Sequence, residues 1–165
     1  MATNTILQSL NTDSDFGGVS AAGASNRRVE EVFIAGETLV VGDCVSLDLS
    51  KTADSDKALV IVKGDTGTAT DTCVIGVVLR SAEPTGALTA GSRIEVVTRG
   101  IVTANVDGAT VAGSRLIVGA TAGRLAIAAD IVESGAATVN QRPIVAIAVE
   151  ADTSNLAKVY VLPQF

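Results

Sequence analysis

Short runs of valine and isoleucine, separated at close intervals by glycine, constrain the fold of this chain more than any other feature. β-branched side chains are restricted at χ1 and pack well on a pleated surface, so the runs favour strands over helices. The 16 glycines can supply the positive φ angles that tight turns require. The sequence therefore predicts an all-β fold, a small antiparallel barrel or sandwich of about nine or ten short strands.

The segment 1–28 differs from the rest of the chain, because it is rich in small and polar residues and poor in large hydrophobic ones. Such a segment cannot bury enough apolar surface to fold alone. We expect residues 1–31 to form a flexible, extended N-terminal arm that becomes ordered against a partner, and residues 32–165 to form the β domain. The candidate partner-binding residues of the arm are Ile6, Leu7, Leu10, Phe16, Arg27 and Arg28.

Apolar runs and alternating segments place the strands. Residues 44–49 alternate, which predicts that Leu49 faces inward together with Val45, whereas residues 73–79 are apolar as for a strand covered on both faces. A weak helical candidate at residues 128–137 is disfavoured by its glycine. The segments with strand signals, from which about nine or ten strands are expected, are residues 32–34, 38–41, 44–49, 59–62, 73–79, 93–96, 101–106, 116–118, 125–127, 144–149 and 159–162.

A short motif recurs within the chain. Residues 90–94 read Ala-Gly-Ser-Arg-Ile, and residues 112–116 read Ala-Gly-Ser-Arg-Leu. Ala-Gly-Glu at 35–37 and Val-Gly-Asp at 41–43 are related, and in each case we expect a glycine turn that leads into a strand. Two copies are too few for a solenoid, so we interpret the motifs as equivalent hairpin entries in one barrel or sandwich. Gly100 is expected to separate a strand at residues 93–96 from a strand at residues 101–106.

The formal net charge is −6, and residues 1–72 carry the excess of acidic residues. An acidic chain without a basic block repels phosphate backbones, so we expect no nucleic-acid partner. No stretch approaches ~18 consecutive apolar residues, and the first residues lack a basic start followed by an apolar core, so neither a membrane span nor a secretory signal is expected. We expect a soluble protein that is made in the cytoplasm.

Histidine is absent, which removes the usual general base near neutral pH and the commonest metal ligand. No P-loop or dinucleotide-binding glycine motif occurs. We therefore expect no enzymatic activity, no catalytic residue, no cofactor, no metal and no small-molecule substrate. Cys44 and Cys73 lie in apolar runs; two buried reduced thiols are the simpler interpretation, and one bridge between strands stays open.

Three acidic motifs resemble sites but are better explained as loops. Residues 65–67 read Asp-Thr-Gly, as in aspartic proteases, but those enzymes share a proton between two such carboxylates, and here Lys63 and Gly64 separate the motif from the apolar run. Residues 13–18 resemble the start of an EF-hand loop, whose twelfth position here is Ala24 instead of glutamate. Four acids, one of them from the first motif, are together interpreted as solvated loop tips, with a fortuitous cation site as the alternative: Asp54, Asp56, Asp65 and Asp71.

Six arginines are spread over the second half of the chain. They are either strand-face charges that also protect sheet edges, or they pair with acids of a partner or a neighbouring subunit, and both interpretations stay open. They are Arg80, Arg93, Arg99, Arg115, Arg124 and Arg142.

A longer series of glycine and valine motifs resembles small phage capsid decoration (cement) proteins, which have a β-barrel or β-tulip-like domain and often an N-terminal arm. The motifs lie at residues 40–45, 75–79, 89–96, 99–102, 143–150 and 157–162. The resemblance covers roughly residues 32–162, and the region between residues 124 and 141 looks like an insertion.

The resemblance implies a structural virion protein that binds the major capsid protein on the capsid exterior, commonly as a homotrimer, and cements the shell. Our hypothesis is that the arm contacts neighbouring capsid subunits while the barrel carries the trimer interface. The alternatives are a head fibre, spike or tail structural domain with receptor or glycan binding, and a self-assembling surface or compartment protein. Against glycan binding, the chain has no Trp and one Tyr for stacking on a sugar.

Overall fold

The fold is described from a computed structural model of the chain. The structure describes residues 28–53, 56, 58–66, 73–128 and 143–162. This part of the chain is all-β, as the sequence predicted. Its nine strands are β1 (Val29–Ala35), β2 (Cys44–Leu47), β3 (Val60–Lys63), β4 (Val74–Ser81), β5 (Arg93–Asp107), β6 (Arg115–Val118), β7 (Leu125–Ile127), β8 (Ala146–Ala148) and β9 (Leu156–Val161).

The first five strands close into a barrel. β1 pairs in parallel with β3, and the antiparallel pairs β3–β2, β2–β4 and β4–β5 follow. β5 then pairs antiparallel with β1, from Ile34 opposite Arg93 to Val29 opposite Arg99. Because the sheet closes on itself, these strands offer no free edge that could pair with another chain.

The remaining strands form a second ring with the same order of pairing. β5 pairs in parallel with β7, and the antiparallel pairs β7–β6, β6–β8, β8–β9 and β9–β5 complete the ring. The two rings therefore share one topology. β5 is the last strand of the first ring and the first strand of the second.

The changeover within β5 falls at Gly100. Arg99 is the last residue of β5 that pairs with β1, and Gly100 is the first that pairs with β9. Gly100 has a φ of 111°, which L side chains rarely adopt, so glycine allows one strand to serve both rings. The expected interruption at Gly100 is wrong, because β5 runs over 15 residues without a break.

Equivalent positions can be matched between the two rings. Gly42 precedes β2 as Gly113 precedes β6, and the same offset in residue number relates Ala35 to Val106. The N–H of Ala35 donates to the carbonyl of Ser92 at 2.9 Å, and the N–H of Val106 donates to the carbonyl of Asn155 at 2.9 Å. The chain thus contains an internal structural repeat.

Each ring encloses its own apolar cluster, and the two clusters meet along one side of the first ring. Val77 and Val78 are both fully buried but belong to different clusters, which confirms the expectation that β4 is covered on both faces. Ile94 lies in the first core. Four residues on strands of the first ring or next to them pack in the cluster of the second: Cys44, Val74, Val77 and Val97.

Three local expectations are wrong. Residues 38–41 do not form a strand, because the N–H of Val40 is bound by the carboxylate of Asp43 in a closed turn. Leu49 does not face inward with Val45, because β2 ends at Leu47 and Leu49 is exposed in the following turn. Gly36 ends a strand instead of leading into one, since it follows β1 directly.

β1 also begins earlier than the expected domain boundary. Residues 29–31, which the sequence assigned to the arm, pair with β5 and belong to the barrel. Residues 1–27 lie outside the described residues, and so does the helical candidate beyond residue 128.

Candidate interaction surface

Four turns of one form lead into strands β2, β5, β6 and β7. In each, a glycine has a positive φ, and the N–H of the next residue donates to the carbonyl three positions earlier. The φ angles are 89° at Gly42, 86° at Gly91, 88° at Gly113 and 80° at Gly123. A positive φ at the third turn position is the requirement that glycine meets without strain. The repeated Ala-Gly-Ser-Arg motif therefore marks two of these turns, as the sequence predicted.

Each turn is also hydrogen-bonded to backbone outside the turn, through the N–H group of its glycine. The N–H groups of Gly42 and Gly113 donate to the carbonyls of Val78 and Ala148, at 2.9 and 2.8 Å. The turns around Gly91 and Gly123 make corresponding bonds to Ala35 and Gly64, at 2.7 and 2.8 Å. The turn tips are consequently held in one position relative to the strands.

Two of the four turns display valine at the tip. Val40 and Val41 are 55% and 52% exposed, and Val111 is 62% exposed, the largest value among the exposed large hydrophobic residues of the described chain. Residues 40–43 and 111–114, which we name the valine turns, precede the equivalent strands β2 and β6. The other two turns carry Thr and Ala at the corresponding positions.

A second exposed apolar feature lies on β1. Val32 and Ile34 point away from the first core and are 52% and 37% exposed. The residues that alternate with them, Phe33 and Ala35, are buried. We name Val32 and Ile34, together with the exposed Val29, the β1 face. It begins within the residues that the sequence assigned to the arm and continues into the barrel.

The structure places one of the six predicted partner-binding residues. Arg28 stands immediately before β1, and its Nε donates to Glu30 at 2.5 Å. This is a partly exposed pair and contributes little to stability. The other five residues, Ile6, Leu7, Leu10, Phe16 and Arg27, lie outside the described part.

Where the two rings meet, one group of polar side chains is centred on Asp43. Its carboxylate accepts hydrogen bonds from the N–H of Val40 at 2.9 Å and from Nδ2 of Asn105 at 2.9 Å, and Nζ of Lys63 lies 4.0 Å away. Gly123 packs so closely that an added Cβ would lie 2.9 Å from Cγ of Asp43. Burial raises the pKa of Asp43, although the bonds from Val40 and Asn105 lower it. The sequence suggested a turn here but not a buried acid.

The arginines divide into two groups. Arg80 binds Glu95 at 2.6 Å, which raises the pKa of Arg80, and Arg124 lies 3.7 Å from Asp107. Arg142 lies outside the described residues. The other three are exposed and form no ion pair with the described residues: Arg93, Arg99 and Arg115. Both interpretations of the arginines, strand-face charge and pairing with acids of a partner or neighbouring subunit, therefore remain. These three are the ones whose side chains are available for such pairing.

No disulfide joins Cys44 to Cys73, so the bridge that the sequence left open is not formed. Cys44 is fully buried, and burial raises its pKa to about 12. Cys73 is partly exposed, which departs from the expectation that both thiols are buried. The low reactivity of a buried neutral thiol fits a packing role for Cys44.

The acidic motifs lie in loops where they are described. Asp65 is half-buried and follows β3 after Gly64, while Asp56 is exposed. Asp54, Asp71 and residues 13–18 lie outside the described part. Among the residues whose placement is described, no three of the His, Cys, Asp and Glu side chains come together in a way that could hold a metal ion.

The comparisons with known proteins give no family. No protein-family model matches this chain, and no curated protein is significantly similar to it. Within the described ranges, the chain has no helix whose length and apolar character would suffice to cross a bilayer. The surface features above are therefore interpreted from their own geometry and from the sequence motifs.

Sequence reasoning missed the valine turns and the internal repeat. The signal was present, because residues 40–43 read Val-Val-Gly-Asp and residues 111–114 read Val-Ala-Gly-Ser, separated by the same number of residues as Ala35 and Val106. The more conspicuous motif, at residues 90–94 and 112–116, links turns of the same form that precede non-equivalent strands, β5 and β6.

Proposed function

We propose that the chain is a structural protein of a virus particle that binds the outer surface of the capsid and stabilises the shell. Its partner is the major capsid protein. Residues before β1 and the β1 face contact neighbouring capsid subunits, and the outer surface of the barrels carries the contacts between copies of the chain in a homotrimer. The motif resemblance to capsid decoration proteins supports this role.

The observation that carries the proposal is the position of the β1 face. Val29, Val32 and Ile34 are exposed on β1, and no other strand of the described chain covers their side chains. Exposed aliphatic side chains that line one strand are typical of interaction surfaces. The apolar residues of the arm precede this strand in the chain, so arm and strand can contribute to one continuous contact.

The closed rings also suit a clamp on a large assembly. A sheet without free edges resists unwanted strand pairing between the many copies that a particle carries. A protein that binds the mature shell more tightly than its precursor stabilises the mature form by mass action. Neither property requires a reactive group.

Deletion of residues 1–27 tests the proposal. Because β1 begins at Val29, the shortened protein keeps the Arg28–Glu30 pair and both rings. We expect a circular dichroism spectrum and a melting temperature close to those of the full chain, with greatly weakened co-sedimentation with undecorated shells of the virus that encodes the chain.

Failure of the full chain to bind such shells would refute the function. Undiminished binding by the shortened protein would refute the role of the arm alone. Binding to arrayed glycans by the full chain would instead favour the fibre or spike alternative.

A further inference from the structure

The two valine turns are presented on the same backbone frame. Gly42 donates to the carbonyl of Val78, and the N–H of Val78 donates back to the carbonyl of Asp43 at 2.9 Å. Gly113 donates to the carbonyl of Ala148 at 2.8 Å, and the N–H of Ala148 donates back to the carbonyl of Ser114 at 2.9 Å. The internal repeat therefore displays a turn with an exposed valine at its tip twice.

The turn itself does not require valine. Thr89 and Thr121 occupy the position of Val40 and Val111 in turns that have the same closing hydrogen bond, at 3.0 Å in both. A small or polar residue suits a solvated turn, and a β-branched aliphatic side chain gains nothing there. Valine occurs in the two turns that are equivalent by the repeat, which points to burial in a partner.

We propose that the two valine turns insert into two copies of one apolar site, located on neighbouring subunits of the shell. This inference rests on the proposed function and identifies a second contact of the same protein. A lattice of identical subunits presents the same site at regular intervals, and a chain with a duplicated tip can occupy two of them. Once the first tip is bound, the second binds at a high effective concentration.

The tips are preorganised for such a contact. In the first valine turn, the N–H of Asn105 donates to the carbonyl of Gly42 at 2.9 Å, and Nδ2 of Asn105 donates to the carbonyl of Val41 at 3.2 Å. In the second, the N–H of Val111 donates to Oγ of Ser114 at 3.4 Å, as Val40 donates to Asp43. A turn that is held by such bonds loses little conformational freedom when it binds.

Threonine variants test the inference, because Thr89 and Thr121 show that the turn accepts this residue. The variants are Val40→Thr with Val41→Thr, Val111→Thr, and all three together. We expect Val111→Thr to weaken binding to undecorated shells about tenfold and the double variant at Val40 and Val41 to weaken it about tenfold or more, since each valine side chain that leaves water contributes roughly that factor. The combined variant should weaken it by roughly a hundredfold or more.

The matched control is Val149→Thr, because Val149 is 46% exposed and lies in neither turn. It should bind as the wild type does. Unchanged melting temperatures establish that the variants are folded. If wild-type protein binds and either turn variant binds equally well, the inference is overturned while the proposed function stands; if wild-type protein does not bind, the proposed function fails first.

A photo-crosslinking amino acid in place of Val40 or Val111, which occupy the same position in their turns, tests whether the two sites are the same. After irradiation on shells, mass spectrometry should find both positions attached to the same peptide of the capsid subunit. Attachment to different peptides, or of one position to another copy of this chain, would overturn the inference even where both turn variants weaken binding.

Discussion

Asn105 donates a hydrogen bond from Nδ2 to Oδ1 of Asp43 at 2.9 Å, between residues that are far apart in the sequence. The bond joins the strand that both rings share to the turn that precedes β2. The same amide nitrogen lies 3.2 Å from the carbonyl of Val41, so one side chain holds both the buried acid and the exposed tip of the first valine turn.

Removal of the Asn105 side chain should destabilise the protein. Asn105→Ala leaves Oδ1 of Asp43 and the carbonyl of Val41 without this donor, and we expect a loss of about 1–3 kcal/mol in the free energy of unfolding. Denaturant unfolding monitored by circular dichroism measures it. Thr103→Ala, an exposed position on the same strand, should change the free energy by less than about 0.5 kcal/mol. Equal losses in the free energy of unfolding from the two variants would show that the hydrogen bonds of Asn105 to Asp43 and Val41 do not stabilise the fold.

The free energy of unfolding should depend on pH in part through the protonation of Asp43. Burial raises the pKa of Asp43, so the folded protein binds this proton more tightly than the unfolded chain does. The resulting stabilisation is complete below the unfolded pKa of 3.8 and is lost as the pH rises through the folded pKa. Relative to Asp43→Asn, which stays neutral, the wild type should therefore lose stability as the pH rises from about 3 to 7.

Asp48 provides a control of opposite sign. Hydrogen bonds from Ser50 lower the pKa of Asp48, so its contribution is present above the unfolded pKa and is lost as the pH falls through the folded one. Relative to Asp48→Asn, the wild type should gain stability over the same rise in pH. Parallel curves for the wild type and Asp43→Asn would contradict the assignment of Asp43.

Gly76 should tolerate no side chain. A Cβ at this position would lie 2.1 Å from the carbonyl oxygen of Val97 on the adjacent strand, and backbone cannot move aside as a flexible side chain can. We expect Gly76→Ala to reduce the free energy of unfolding by about 3 kcal/mol or more. A Cβ at Gly108 would meet no atom within 4 Å, so Gly108→Ala should reduce the free energy of unfolding only through the strain of an alanine at a φ of 75°, by about 1–2 kcal/mol. Chemical denaturation ranks the two variants, and the reverse order would contradict the packing at β4 and β5.

Cys44 should react with thiol reagents when the protein unfolds and not before. Its side chain is fully buried and its pKa is raised to about 12, so the native protein offers neither access nor thiolate. In Cys73→Ser protein, which leaves Cys44 as the single thiol, labelling by an aromatic disulfide should follow unfolding in denaturant. Rapid labelling of this variant under native conditions would show that the folded protein opens around Cys44.

The local pattern of the sequence was sufficient for many elements of the fold. Short apolar runs placed β3, β4, β6 and β7 close to their observed bounds, because alternation and β-branching act over a few neighbouring residues. The turns at Gly91 and Gly113 followed from the motif that they share. The same local reasoning failed at residues 38–41, where the valines suggested a strand and the carboxylate of Asp43 closes a turn instead.

Local patterns could not show which strands pair, and the tertiary structure decided the rest. Closure of the first ring joins β1 to β5, and closure of the second joins β5 to β9, through contacts between segments that are distant in the chain. The burial of Asp43 depends on Asn105 and Gly123, and the exposure of Val40 and Val111 depends on turns fixed to β4 and β8. The sequence thus determined a set of strands and turns through short-range preferences, whereas long-range hydrogen bonding decided the two rings, the polar contacts around Asp43 and the apolar side chains that stay exposed.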